Sequence, residues 1–277
     1  MEKQNEKNSF TYFVVGNDSL LFFSARFVQK GFDDLQIVDL GFEREYFGIA
    51  FRSGSDLTRK VEDITVELFN DGTIAELSSK YEVGAVDKKD YTPKADACNG
   101  SNDFANVKAK GKLVIGITDY KPMDYRDDNG EWIGFDADYA RAVCAKLGVS
   151  AEFKEIEWDN KLIDLESGNI DCIWNGMTIT DAIENAADCT VPYMYNTQVA
   201  VIQKKNADKY VKIEDFAGLS IAAESGSAGE KVINANESLK GGLKGVTGQT
   251  DAILEVLSGA SEAAIVDLTL AKALIGN

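Results

Sequence analysis

The chain has 277 residues, enough for two medium-sized units with their own cores, and its 44% apolar and 27% charged residues are ordinary for a globular protein. A formal charge of −17 repels nucleic acid and anionic membrane and suits neutral or cationic partners. The absence of histidine removes the commonest general base, the commonest metal ligand and the Ser-His triad together. Cysteines at 98, 144, 172 and 189 contain no CxxC pair, so neither a zinc site nor a cofactor is expected. No apolar run reaches the length of a membrane span, and the polar start MEKQNEKNS reads without a secretion signal.

In chain order, residues 10–15 read as a strand, 16–19 as a turn and 20–29 as a helix closed by Gly31. Residues 35–39 and 46–52 follow as strands. Helical spacing of Val61, Ile64 and Leu68 predicts a helix over 57–69, broken at Asp71-Gly72. A shorter helix over 73–81 carries Thr73 and Glu76 at capping-box spacing. From 84 to 106 the composition turns polar, with Pro93 and little to bury, and reads as a linker. Residues 113–117 form an apolar strand, 118–123 a loop and Asp127 to Gly130 a hairpin turn.

Phe135, Tyr139, Ala142, Val143 and Leu147 then make a helical stripe ended by Gly148, which places Cys144 in the interior. A strand over 151–157, a helix from 161 and a strand over 170–174 lead to a loop at 175–178. Residues 193–202 read as a crossing between two units. Beyond it come a strand at 219–223, a turn at 225–229 into a helix, a helix at 250–257 and a strand at 263–266 ending in Asp267. Alternating strands and helices make this an α/β protein. Cys172 and Cys189 can pair only if their strands lie side by side.

The wording of these segments is more specific. The run GKLVIGITDYKPMDYRDDNGEWIGFDADYARAVCAKLG from Gly111, GNIDCIWNGMTIT (168–180), AGLSIAAESGSAGE (217–230) and GQTDAILEVLSGASEAAIVDLTLA (248–271) resemble the amino-acid-type extracytoplasmic solute-binding proteins of ABC importers. Residues 35–84 resemble the C-terminal end of that family, yet stand ahead of its N-terminal end, which begins near Val107. The resemblance implies a circularly permuted, two-lobed periplasmic-binding-protein-like (type II) fold, each lobe a mixed sheet flanked by helices. Lobe 1 would be 107–194 plus 46–83, lobe 2 would be 198–277 plus 10–40, and 84–106 would join the original termini. The strand-turn-helix at 10–31 and the similar element at 262–277 claim one slot. An extra strand, a swap between two chains and a permutation junction all account for this.

The resemblance also implies where a ligand sits. Tyr120 matches the first-loop aromatic, with Asp119 beside it, and Trp158 matches a second aromatic wall. Asn175, Gly176, Met177 and Thr178 match the loop that receives polar ends of the ligand. Ser227 and Ala228 stand at a helix start, where free amides suit an anion. Asp267 matches the acceptor for an α-ammonium, and a carboxylate directly after a buried apolar run needs a partner. Tyrosine on Pro122, a core tryptophan and an ordinary helix cap are the plain structural alternatives for these positions.

One position departs from the family. Where it carries an arginine for the ligand's carboxylate, this sequence has Ile183, which favours an amine over an ordinary amino acid. The expected protein is a non-enzymatic solute-binding protein outside the cytoplasm, closing on a small polar amino acid or amine and delivering it to an ABC-transporter permease. It is expected as a monomer, with a domain-swapped dimer as the other form. A binding scaffold or sensor domain with altered or lost amino-acid binding, engineered or ancestral, and a dehydratase-type enzyme on the same fold are the alternatives.

Overall fold

The structure, a computed structural model, describes residues 31–94 and 101–276. The strand and helix expected over 10–29 lie outside those residues. Two strands open the described chain, β1 (Leu35–Val38) and β2 (Arg44–Arg52), followed by helices α1 (Asp56–Asn70) and α2 (Thr73–Tyr81). Then come α3 (Asp103–Lys110), β3 (Lys112–Ile117), the hairpin β4 (Tyr125–Arg126) and β5 (Trp132–Ile133), α4 (Phe135–Leu147), β6 (Ser150–Glu155) and α5 (Lys161–Glu166). The series continues with β7 (Cys172–Thr178), α6 (Asp181–Ala186), β8 (Ala187–Cys189) and β9 (Met194–Gln203). It finishes with β10 (Ile221–Glu224), α7 (Ala228–Ala235), β11 (Leu243–Val246), α8 (Gln249–Ser258), β12 (Ala263–Asp267) and α9 (Leu268–Ile275).

Ten strands join in the order β11-β10-β12-β9-β2-β7-β3-β6, with β1 added on β9 and β8 on β2. The first half of β9 pairs antiparallel with β2, from Phe47 opposite Met194 to Arg44 opposite Thr197. Its second half pairs with β12, from Asp267 opposite Gln198 to Ala263 opposite Ile202, and with β1 along Leu35–Val38. One strand therefore belongs to both halves of the sheet. Strands β3 and β6, and β10 with β11 and β12, are parallel, so helices cross over on their faces and their carboxyl ends point into the middle of the molecule.

One buried cluster runs through both halves, from Phe47, Leu113 and Phe135 to Val201, Ile253 and Leu270. Around β2, β3 and β7, helix α1 buries Leu57, Val61 and Leu68, and α4 buries Phe135, Tyr139 and Val143. Tyr139 meets Trp174 edge-on at 4.7 Å and shares a 2.5 Å hydrogen bond with Thr65, so the aromatic ring is buried without stranding its hydroxyl. Around β10 and β12, Phe216, Ile221, Ile233 and Ile265 close a second cluster.

Several expectations shift on inspection. The α2 cap is Gly72, at φ 89°, not Thr73; Asp71 accepts from the Thr73 amide and hydroxyl, so the capping box does not form. The polar stretch 84–106 is not a free linker along its length: Val86 and Tyr91 are buried, Val86 N–H donates to the Tyr193 carbonyl, and residues from Asp103 open α3. Its polar groups dock on α1, where Glu62 accepts from the Lys94 amide. The residues expected as a loop at 175–178 belong to β7, which starts at Cys172 rather than 170. Cys144, Cys172 and Cys189 are buried and free, so no 172–189 disulfide forms.

Candidate functional site

The longest-range consequence of the sheet order is a cavity of about 480 Å³ between its two halves. One wall is built at the carboxyl ends of β3 and β7. Opposite Ile49, β7 carries extra residues: Gly48 faces Met177 while Ala50 faces Ile173. The bulge lies at Trp174 to Gly176 and turns the end of the strand toward the cavity. Gly176 sits at φ +56°, and a Cβ there would lie 2.5 Å from Tyr120 Cε1, so only glycine lets the Tyr120 ring seat against the backbone. The Gly176 amide donates to Asp136 Oδ2 at 2.6 Å, an oxygen that also accepts from Tyr193 Oη at 2.7 Å.

Asn175 has a different task from the one expected of its side chain. Its Oδ1 accepts from the Thr118 amide at 3.1 Å and its Nδ2 donates to Thr118 Oγ1 at 2.7 Å, so the amide ties the first loop to β7. Thr178 donates its hydroxyl to Glu45 Oε2 at 3.3 Å. Trp158, buried before α5, carries the Lys161 ammonium 4.8 Å over its ring. Lys161 Nζ donates to the Trp158 carbonyl at 3.0 Å and, across the cleft, to the Gly226 carbonyl at 2.9 Å. Burial pushes that ammonium's pKa down, while Glu224, Asp159 and Glu230 oppose the shift. Ile183, buried on α6, completes this side.

The opposite wall is the end of the β10–β12 pair, and it is acidic. Asp267 accepts from Asn196 Nδ2 at 2.7 Å, Gln198 Nε2 at 2.5 Å and Gln249 Nε2 at 2.7 Å. Gln249 also accepts from the Asp267 backbone amide, fixing the residue at two points. Three neutral amides orient the carboxylate without cancelling its charge. Burial raises its pKa and the amides pull it back. The buried Tyr120 hydroxyl faces this carboxylate from the other wall and, like the amides, pulls its pKa down. Glu45 stands behind, accepting from Gln198 and Asn196, with its pKa raised by burial and then by Asp267. Ser227 caps α7 by accepting from the Glu230 amide, and Glu230 Oε2 accepts from the Gly226 amide. The helix start expected to receive an anion thus already faces its own carboxylate.

Of the positions singled out in the sequence, Tyr120, Trp158, Asn175, Gly176, Met177, Thr178, Ile183, Ser227, Ala228 and Asp267 all line this cavity. Asp119 does not: it is exposed outside it. Sequence reasoning missed Glu224, Lys161 and Gln249, which also line it. Glu224 was within reach, because SIAAE repeats the signal of AAIVD, an apolar strand ending on a carboxylate.

Residues 113–273 match the model of the bacterial extracellular solute-binding proteins, family 3. The chain belongs to that family. Among curated relatives, the L-cystine-binding protein TcyJ of Escherichia coli (strain K12) is 30% identical over 131 residues, 47% of this chain and 49% of that protein. The arginine-binding extracellular protein ArtP of Bacillus subtilis (strain 168) is 28% identical over 136 residues, 49% of this chain and 52% of that protein. The chain thus spans about half the length of the curated relatives it matches. Among solved structures, the P235GK mutant of ArgBP from T. maritima aligns with a TM-score of 0.58 at 28% identity, over 62% of this chain and 74% of that one. The ancestral amino acid-binding protein AncCDT-1, a precursor of cyclohexadienyl dehydratase, aligns at 0.56 and 33% identity, over 59% of this chain and 73% of that one. The family 3 match fits the periplasmic-binding-protein-like fold, and among the described residues no helix is long and apolar enough to cross a membrane.

Proposed function

We propose that this chain is a non-enzymatic binding protein that closes on a small amino acid or amine outside the cytoplasm and presents it to an ABC-transporter permease. The observation that carries the reading is Asp267: a buried carboxylate at a cavity, held by three neutral amides, with no ion pair among the described residues. Such a group lacks only a cation, and a ligand ammonium supplies it. Tyr120 and Trp158 cover the ligand's carbon skeleton or its charge. The lobes are 107–194 with 46–83 and 198–276 with the strand β1. That β2 sits between β7 and β9, outside the stretch that the family model matches, supports a circularly permuted order.

Ile183 sets the preference. The cations lining the cavity are Lys161 and Lys231, and Lys161 already serves two backbone carbonyls. A ligand carboxylate would be desolvated without a forked donor, so an amine fits better than the parent amino acid. Binding is favoured over turnover because Glu224 and Asp267 end adjacent strands on one wall, and Lys161, the titratable group opposite Glu224, is tied to two backbone carbonyls.

A thermal-shift screen of amino acids beside their decarboxylated amines tests this. At a hundredfold excess over Kd, a ligand adds about 2.7 kcal/mol of stability. Amines should raise Tm at least as far as the amino acids. Strong shifts from amino acids alone would overturn the argument from Ile183, silence from both would overturn binding, and turnover of a cyclic prephenate-like acid would favour the enzyme.

A further inference from the structure

We propose that Glu224 is a second anionic pole of the cleft, and that the ligand class it selects carries two protonated nitrogen centres. This rests on the proposed binding function and sharpens its substrate class. Strands β10 and β12 are parallel neighbours, with Ile221 opposite Ala263 and Ala222 opposite Ala264. Continued along the strands, that register sets Glu224 opposite Val266, one residue short of Asp267, so the two carboxylates stand staggered at the ends of neighbouring strands and both line the cavity.

The two carboxylates are treated differently by the fold. Asp267 is cradled by amides. Glu224 is only 3% exposed and lines the cavity, and its carboxyl group has neither a hydrogen bond nor an ion pair among the described residues. A buried carboxyl left bare costs stability unless something fills its vacant acceptors. The cavity lining around it is acidic: Asp159, Glu224, Glu230 and Asp267 against Lys161 and Lys231. Glu230 is engaged with the Gly226 amide, Asp159 is exposed to water and Lys161 serves two carbonyls, which leaves Glu224 and Asp267 as the buried acidic poles open to a ligand.

The charged groups facing Glu224 are Asp267 from β12, Lys161 from α5 and Asp251 from α8. Burial, with Asp267 next, pushes its carboxyl up to about 8, Lys161 opposing. With a single ammonium in the cleft Glu224 keeps its proton, and that ammonium sits on Asp267. A second ammonium of the same ligand draws Glu224 into its charged form, so each bound dication releases one proton. No covalent step is involved.

The matched probes are a pentane diamine and pentylamine, titrated calorimetrically against the full chain and against E224Q. In the parent chain the diamine should bind more tightly and gain about tenfold in affinity per pH unit from about pH 6 to about pH 8 relative to the monoamine, then level off. In buffers of different ionisation enthalpy, the diamine alone should show release of a proton. E224Q should weaken the diamine by about tenfold or more and leave pentylamine within about threefold. Equal affinity of both probes, or equal losses in E224Q, would overturn the second pole while leaving amine binding intact. An amino acid that binds when neither probe does would also overturn it, whereas silence from every ligand would overturn the binding function itself. Should E224Q not fold, the pH and proton-release arms on the parent chain decide the matter.

Discussion

The two walls of the cleft solve opposite problems. The β3–β7 wall is apolar and shaped: Tyr120 leans on Gly176, Trp158 is capped by Lys161, and Ile183 fills the remaining space. Its polar side chains, Asn175 and Thr178, are spent on Thr118 and Glu45. The β10–β12 wall is charged and sparsely neutralised, with Asp267 and Glu224 at the ends of adjacent strands. A wall that gives shape can satisfy itself in the empty protein. A wall that gives charge is completed only by its guest, which makes it the wall that decides which ligand is bound.

Breaking the charged wall should have the largest effect. Asp267→Asn removes the charge and turns an amide toward the three amides that now donate to it. The loss of ammonium affinity should be about 2–5 kcal/mol, or roughly two to four decades in Kd by calorimetry. Unchanged affinity would transfer the ammonium site elsewhere. The shaped wall should break differently, through stability. Gly176→Ala combines a left-handed backbone with a Cβ 2.5 Å from Tyr120 and 3.3 Å from Phe47 and Met123. About 2–4 kcal/mol of destabilisation is expected, seen as roughly 4–10 °C in Tm; an unshifted melt would show that the Tyr120 ring moves freely.

An effect seen only through pH lies behind the shaped wall. Asp124 is fully buried with both carboxyl oxygens unpartnered, and burial, then Asp136, holds its pKa well above the usual range; Asp136 itself is pushed up to about 7. Acids raised in the folded state contribute stability at low pH and lose it as pH rises through the folded pKa. Asp124→Asn should therefore match the parent near about pH 4 and draw ahead of it as pH rises from there, by at most about 1.4 kcal/mol per pH unit, until the folded carboxyl has ionised. A Tm–pH profile parallel to the parent's would show that Asp124 carries no such proton.

Periodicity made the helices legible: Phe135–Leu147 keeps its stripe and its Gly148 cap in the structure. Order in the sheet was less so, because β2 pairs with strands more than 120 residues away, and pairing at that distance leaves no local mark. In the cleft, position was legible and task was not. Asn175 lines the cavity as expected, yet its amide is consumed by Thr118. Asp267 stood out as a carboxylate after an apolar run, and the amides from Asn196, Gln198 and Gln249 that hold it come from two other elements. Asp119 adjoins the buried Tyr120 in sequence, yet it is exposed and does not line the cavity.

The position of β2 has a consequence for biosynthesis. Its apolar residues Phe47, Ile49 and Phe51 leave the ribosome ahead of both strands that flank it, β7 and β9. At about 5–20 residues per second, the middle of the sheet waits several seconds or more with both edges bare. During that interval a nascent chain presents an apolar strand to any passing partner, so a chaperone or a neighbouring nascent chain competes with the native one for the same edges.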